Sequence, residues 1–245
     1  MRAMILAAGL GTRLRPLTDD RPKALVEING RTLLEIVLAR LRGFGIRDVI
    51  INVHHFADML AAYVKSHDFG MRIEISREEE LLDTGGGLKR ASHFFLEQGS
   101  DEPFLVHNVD VLSSIDLPRM AQFHRDRGAL ATIAVQQRES SRQLLFDDQL
   151  QLCGRKSGGS QPEMVRPCSN PQPFAFCGIH VISPRIFPLM NEEGAFPIVT
   201  SYLRLAQTSE KILAFRADEF DWRDLGKPES IEQTANELMR GALRQ

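Results

Sequence analysis

The chain has no Cys-x-x-Cys pair, a single tryptophan, two tyrosines and no apolar run long enough to cross a bilayer. Its three cysteines, Cys153, Cys168 and Cys177, form an odd set without metal-ligand spacing. That argues against zinc and for reduced thiols in a cytoplasmic protein. The apolar start from Ala3 to Leu10 is too short to span a membrane, and Arg13 and Arg15 follow it directly. It also lacks the layout of a secretory leader, so neither a membrane nor an export route is expected. Charge of one sign is missing too: the formal net charge is −2, which gives no reason to expect a nucleic acid as partner. An anionic ligand must therefore be held by a local cluster of cations.

What is present is ordinary globular material, 43% hydrophobic and 25% charged over 245 residues. Apolar, β-branched runs at Met1–Ala7, Asp48–Val53, Met71–Ser76, Pro103–His107 and Ala129–Val135 read as strands. Between them, helical periodicity covers Arg31–Phe44, Ala57–Lys65, a stretch after the glycines at 85–87 to about Leu96, and Leu117–Arg127. Such alternation predicts an α/β fold, a mostly parallel, Rossmann-like sheet with helices on both faces. The rhythm breaks after about Gln137. Leu144–Gly159 reads as an inserted β-hairpin, and residues 154–173, rich in Gly, Pro, Ser and charge, as a mobile surface connection. Strands at Phe174–Ile182 and Ile212–Ala217 and helices at Pro197–Ala206 and about Pro228–Leu243 complete the reading. A single domain, 1–245, is expected, in two parts, 1–137 and 138–245.

Four segments carry chemistry. Leu6–Glu35 (LAAGLGTRLRPLTDDRPKALVEINGRTLLE) joins a glycine loop leaving a strand to the cations Arg13, Arg15 and Lys23. Backbone N–H groups there can approach phosphate oxygens, and the cations suit a triphosphate. A plain structural turn explains the glycines as well, and a solvated surface position explains Arg15. The dinucleotide fingerprint fails because Leu14 stands where its third glycine belongs, and no Gly-Lys-Ser/Thr closes a P-loop. Asp110, in His107-Asn108-Val109-Asp110, follows a strand at the end where open sheets bind ligands, although a turn cap is a competing role. Phe220–Glu229 (FDWRDLGKPE) offers Asp221 and Asp224. Glu80–Ala91 (ELLDTGGGLKRA) reads either as a glycine turn under a ligand or as a helix start capped by Asp83 or Thr84. Glu78–Glu80 reads as a solvated charge run, and His54-His55 as strand-end packing.

Together these segments resemble the sugar-1-phosphate nucleotidyltransferases, whose pattern is LAAGxGTRLxPLT followed by PKxL and a glycine turn. The resemblance implies that Ala8, Gly9, Gly11, Thr12 and Arg13 bind the nucleotide, with Thr84, Gly85 and Gly86 at its base or ribose. It makes Arg13 and Lys23 the catalytic cations. Asn-Val-Asp stands for the family's Asn-Gly-Asp, and W-x-D-x-G-K-P-E for its W-x-D-x-G-[ST]-P-E, so Asp110 and Asp224 are the implied Mg²⁺ ligands. Asn108 and Gly178, the latter in the Phe-x-Gly-Ile strand, would line the sugar pocket. No Glu-Lys-Pro element for the sugar phosphate is evident. The expected partners are a nucleoside triphosphate (UTP, GTP, CTP or dTTP) and a sugar 1-phosphate, and an oligomer is left open. The short chain, without a C-terminal β-helix, resembles the muramate-type uridylyltransferases. Two other readings compete: a cytidylyltransferase for a non-sugar phosphorylated alcohol, and a nucleotide-sugar sensor without turnover.

Overall fold

The computed structural model describes residues 1–99 and 101–240. It begins with β1 (Ala3–Leu6), the Gly9–Lys23 loop, and a small ribbon of β2 (Glu27–Ile28) and β3 (Arg31–Thr32). Helix α1 (Leu33–Gly43) starts at a capping box: Thr32 Oγ1 accepts from Glu35 N, and Glu35 Oε2 accepts from Thr32 N. Its buried stripe of Leu34, Val37, Leu38 and Leu41 is the one expected from periodicity. Then come β4 (Asp48–Val53), α2 (Ala57–Ser66), β5 (Arg72–Arg77), α3 (Asp83–Arg90), α4 (Ser92–Leu96), β6 (Phe104–Asn108), β7 (Val111–Ser113), α5 (Leu117–Arg127) and β8 (Ala131–Gln136). The second part holds β9 (Arg142–Phe146), β10 (Leu152–Ser157), β11 (Glu163–Met164), β12 (Gln172–Ile182), α6 (Ile198–Gln207), β13 (Ile212–Arg216), β14 (Trp222–Asp224) and α7 (Pro228–Met239).

One ten-stranded sheet runs through both parts in the order β11-β10-β9-β12-β6-β1-β4-β5, with β8 pairing β12 and β13. Strands β6, β1, β4 and β5 are parallel, as is the pair β8–β13. The apolar residues of all but the edge strand β5 are buried on both faces, which is why those strands read as continuous hydrophobic runs. The long β12 enters antiparallel between β6 and β8. Its near end carries the β9–β10–β11 ribbon, also antiparallel.

Four expectations need correction. The glycines at 85–87 lie inside α3 rather than ahead of it, and a second short helix, not one long one, reaches Leu96. Residues 154–173 are not all loop: 154–157 belong to β10, 163–164 form β11, and β12 begins at Gln172. Gly154 is buried, and a Cβ there would lie 2.5 Å from Glu163 O. Glycine in this strand marks close backbone approach, not a turn. Glu78 is 4% exposed, not solvated. Strands β7 and β14 went unread because three-residue pairings carry too little period to detect. Residues 241–243 of the expected last helix fall outside the described residues.

Candidate active site

Ligands of open α/β sheets bind beyond the carboxyl ends of parallel strands. Here β1 ends at the Gly9–Lys23 loop and β6 at Asn108-Val109-Asp110, side by side because Leu6 pairs Asn108. Gly11 sits at φ 66°, a left-handed conformation that the loop needs. The Thr18 hydroxyl donates to Gly11 O at 2.8 Å and closes the loop on itself. Lys23 is returned to the start of the loop, and a Cβ on Gly9 would lie 3.9 Å from its Nζ.

Lys23 Nζ lies 2.8 Å from Asp110 Oδ2, both side chains largely shielded at 15% and 9% exposure. The structure thus joins two predicted residues 87 positions apart in sequence. A second pair is looser: Arg13 Nη1 is 3.8 Å from Asp224 Oδ2, and both groups face solvent. Leu225 N donates to Asp110 O at 2.8 Å, and Asp224 pairs Val111 across the β7–β14 ladder. The two aspartates are therefore held at the ends of adjoining strands. Asp224 Oδ1 accepts from Gly226 N at 2.9 Å, and a Cβ on Gly226 would meet both this oxygen and the Arg13 guanidinium. A larger residue there would displace both side chains. Asp221, the rival in the same segment, instead accepts Ser114 N through its backbone carbonyl at the other end of β14. Val109, where the family has glycine, is buried and is not among the positive-φ residues, so its β-branch introduces no backbone strain.

Beside this cluster opens a cavity of about 720 Å³. Asp83, Thr84, Asn108, Phe176 and His180 line it, with Arg142, Arg155 and Lys156 of the ribbon. Gly178 sits at φ 73° against Asn108, and a Cβ would come within 2.8 Å of Asn108 Nδ2. This bulge brings Gly178 against Asn108; Asn108 lines the cavity and Gly178 lies behind it. Arg155 is paired with Glu163 at 2.6 Å. The exposed Arg15 pairs with Asp19 instead of entering the site.

The 83–87 segment behaves differently from expectation. Gly85 N and Gly86 N both donate to Phe196 O, at 2.8 and 3.3 Å, and Thr84 Oγ1 accepts from Ile198 N. Cβ atoms on Gly85 and Gly86 would strike Phe196 and Gly194 O. These glycines let α3 pack against the approach to α6, and their donors are spent on that contact. Beneath them runs a relay that the sequence reading missed. Asn52 Oδ1 accepts from Ala7 N, Asn52 Nδ2 donates to Glu78 Oε1, and Glu78 Oε2 accepts from Leu82 N. It ties the β1 loop to the start of α3. An asparagine inside the apolar DVIINV strand was the available signal; Glu78, hidden in a charge run, offered none.

Two buried histidines mark the seam between β6 and β12. Burial pushes His107 down to about 3, helped by the neighbouring Arg40 guanidinium, and burial pushes His180 down to about 3 as well. His107 Nδ1 is 2.8 Å from Asn108 O and its Nε2 is 3.3 Å from Arg40 Nη1, so the neutral ring donates at Nδ1 and accepts at Nε2.

A glycine loop, one shielded and one solvent-facing cation–carboxylate pair and an adjoining cavity suit a site that handles phosphates. The family described as Nucleotidyl transferase matches residues 2–144, and the chain belongs to it. It is 32% identical over 240 residues to the N-acetylmuramate alpha-1-phosphate uridylyltransferase of Caulobacter vibrioides, covering 93% of each chain. It is also 32% identical over 242 residues to mannose-1-phosphate guanyltransferase beta-B of Xenopus laevis, spanning 94% of this chain but 62% of that protein. A UDP-glucose pyrophosphorylase solved with UDP-glucose superposes with a TM-score of 0.78 at 18% identity, over 98% of both chains. At that identity the likeness speaks for the fold, the nucleotide-diphospho-sugar transferase architecture.

Proposed function

We propose that this chain joins a nucleoside triphosphate to a sugar 1-phosphate, giving a nucleotide sugar and pyrophosphate. The observation that carries the reading is the shielded Lys23–Asp110 pair beside the Gly9–Arg13 loop. A lysine and a carboxylate held together at the mouth of a phosphate loop suit a site whose ligand brings several negative charges. An oxygen of the sugar phosphate would attack the α-phosphorus, forming one P–O bond as the bond to the β-phosphate oxygen breaks. Pyrophosphate leaves opposite the incoming oxygen, and no side-chain nucleophile is needed. Arg13 and Lys23 would neutralise charge that builds on the phosphates. Ala8, Gly9, Gly11 and Thr12 would lie along the triphosphate, with Thr84 near the nucleoside and Asn108 and Gly178 at the sugar.

Asp110 and Asp224 fit Mg²⁺. Among the described residues no group of three or more His, Cys, Asp or Glu is placed to hold a metal. Two neighbouring carboxylates are nevertheless the protein share that Mg²⁺ takes when phosphates and waters fill its shell. Bound there, the ion would supply Lewis-acid stabilisation of the phosphate oxygens.

The cavity wall favours an acceptor with a further anionic group. Arg142, Arg155 and Lys156 line it together with Asp83 and Glu163, Glu163 pairs with Arg155, and neither Arg142 nor Lys156 has an ion-pair partner among the described residues. The Caulobacter vibrioides relative is named for a sugar acid phosphate, which suits the same reading. Among the described residues no helix is long and apolar enough to cross a membrane, and we place the activity in the cytoplasm, where the triphosphates are. The test is a matrix of UTP, GTP, CTP and dTTP against neutral and acidic sugar 1-phosphates, phosphocholine and a polyol phosphate with Mg²⁺, read as pyrophosphate release. Turnover with an acidic sugar is the expected result. Release only with CTP and a non-sugar phosphorylated alcohol would replace the acceptor, and nucleotide binding without any release would make the chain a sensor.

A further inference from the structure

Strand β12 loses its register with β8 between Phe176 and His180, the stretch that gives Gly178 its left-handed turn beside Asn108. A bulge strands backbone carbonyls that the ladder would otherwise satisfy. Two side chains take them here. Arg138 Nη2 donates to Phe176 O at 2.8 Å, and Trp222 Nε1 donates to Cys177 O at 2.8 Å. The two are stacked, with the Arg138 guanidinium carbon 3.9 Å from the Trp222 ring centroid. Trp222 opens β14, whose last residue is Asp224.

Arg138 is half-buried, its Nε has no hydrogen-bond partner, and no carboxylate pairs with it among the described residues. A shielded cation with an unmet donor costs stability, and residues that break this rule concentrate at functional sites. We propose that Arg138 is a positioning residue for nucleotidyl transfer: by bonding Phe176 O and stacking on Trp222, it holds the Gly178 bulge and the Asp224 strand in one fixed relation. It touches no substrate. It acts on the acceptor side through Gly178 and Asn108 and on the reacting phosphates through Trp222 and Asp224. The assignment rests on the function proposed above.

The test compares wild type with Arg138→Met, which keeps the stem over the indole but loses charge and donor, and Arg138→Lys, which keeps the charge. Pyrophosphate release is measured while each substrate is varied in turn, with the fluorescence of the chain's single tryptophan as a second readout. Arg138→Met should raise KM for the sugar 1-phosphate about tenfold while KM for the triphosphate stays within about twofold. Its Trp222 emission should shift, and Arg138→Lys should recover part of both effects. Equal changes in the two KM values, or a kcat that falls only with the folded fraction, would overturn the assignment and leave Arg138 structural. If Arg138→Met does not fold, the same split is read from Arg138→Lys. A wild type that releases no pyrophosphate sinks the function reading, and this assignment with it; an active wild type with an unchanged split sinks this assignment alone.

Discussion

The proposed nucleotide side and the proposed acceptor side of the site are built by opposite means. On the first, Gly9, Gly11, Arg13 and Lys23 come from one loop after a buried parallel strand, closed by Thr18 on Gly11 O. On the second, Asn108, Gly178 and the cationic wall arrive from β6, a bulge in β12 and an antiparallel ribbon at the edge of the sheet. A loop that must present several donors to a phosphate chain tolerates little change in length or composition. An edge ribbon can alter side chains and register without disturbing the parallel core behind it. On the proposed function, nucleotide binding is thus written locally and acceptor choice is assembled at long range. The two cation–carboxylate pairs bridge the sides, since Lys23 and Arg13 of the loop meet Asp110, just after β6, and Asp224, at the end of β14.

Removing either aspartate is the strongest way to break this comparison. Asp110→Asn and Asp224→Asn should each lower turnover about 10³-fold with Mg²⁺ and both substrates saturating. Stability should separate them. Asp110→Asn leaves Lys23 shielded and unpaired, costing about 3 kcal/mol, whereas Asp224 is exposed and its pair with Arg13 is long, so its loss should cost less than about 1 kcal/mol. Paired urea titrations and pyrophosphate assays would show it. Near-normal turnover of the Asp224 variant would confine the chemistry to the first region.

The same division governs what the sequence made legible. The Gly9–Lys23 loop, α1 and the parallel strands could be read from spacing and periodicity because their determinants are contiguous. Asp224 was found only through a motif, since nothing in FDWRDLGKPE by itself says that Leu225 N will bond Asp110 O. Gly85 and Gly86 illustrate the opposite error. A glycine run looks the same whether a ligand or Phe196 occupies the space, and only packing reveals that the donors are already used. Arg138, Trp222 and Glu78 act through partners 38 to 45 residues or more away, or through a buried relay, so no local pattern marked them.

The seam between the regions sets the next effect. His107 lies on β6 and His180 on β12, both pushed by burial from 6.5 to about 3. Between those values the unfolded chain binds protons that the folded chain refuses, so stability is full above pH 6.5 and falls as the pH drops toward 3. Each histidine contributes a slope of about 1.4 kcal/mol per pH unit, or about 2 kcal/mol lost at pH 5. His124, held near 4 by burial and the Arg185 and Arg125 charges, adds to the trend. Because the seam residues join the two regions, urea unfolding followed by far-UV circular dichroism and by Trp222 fluorescence should move together from pH 7 to pH 5. Separate transitions would mean that the two regions unfold independently.

The smallest effect probes the acceptor wall itself. Arg142 lies on the free end of β9, lines the cavity and has no ion-pair partner among the described residues, so its removal should change the folding free energy by less than about 0.5 kcal/mol. If it faces an anionic group of the sugar, Arg142→Met should raise KM for an acidic sugar 1-phosphate about threefold to tenfold, an exposed charge contact being screened by solvent. KM for a neutral sugar 1-phosphate and for the triphosphate should hold, and the penalty should shrink as salt is raised from 50 to about 300 mM. Equal loss for acidic and neutral acceptors would show that Arg142 reads the phosphate common to both. The acceptor side would then, like the nucleotide side, be built around phosphate, and selection among sugars would fall to Phe176 and His180 in the cavity.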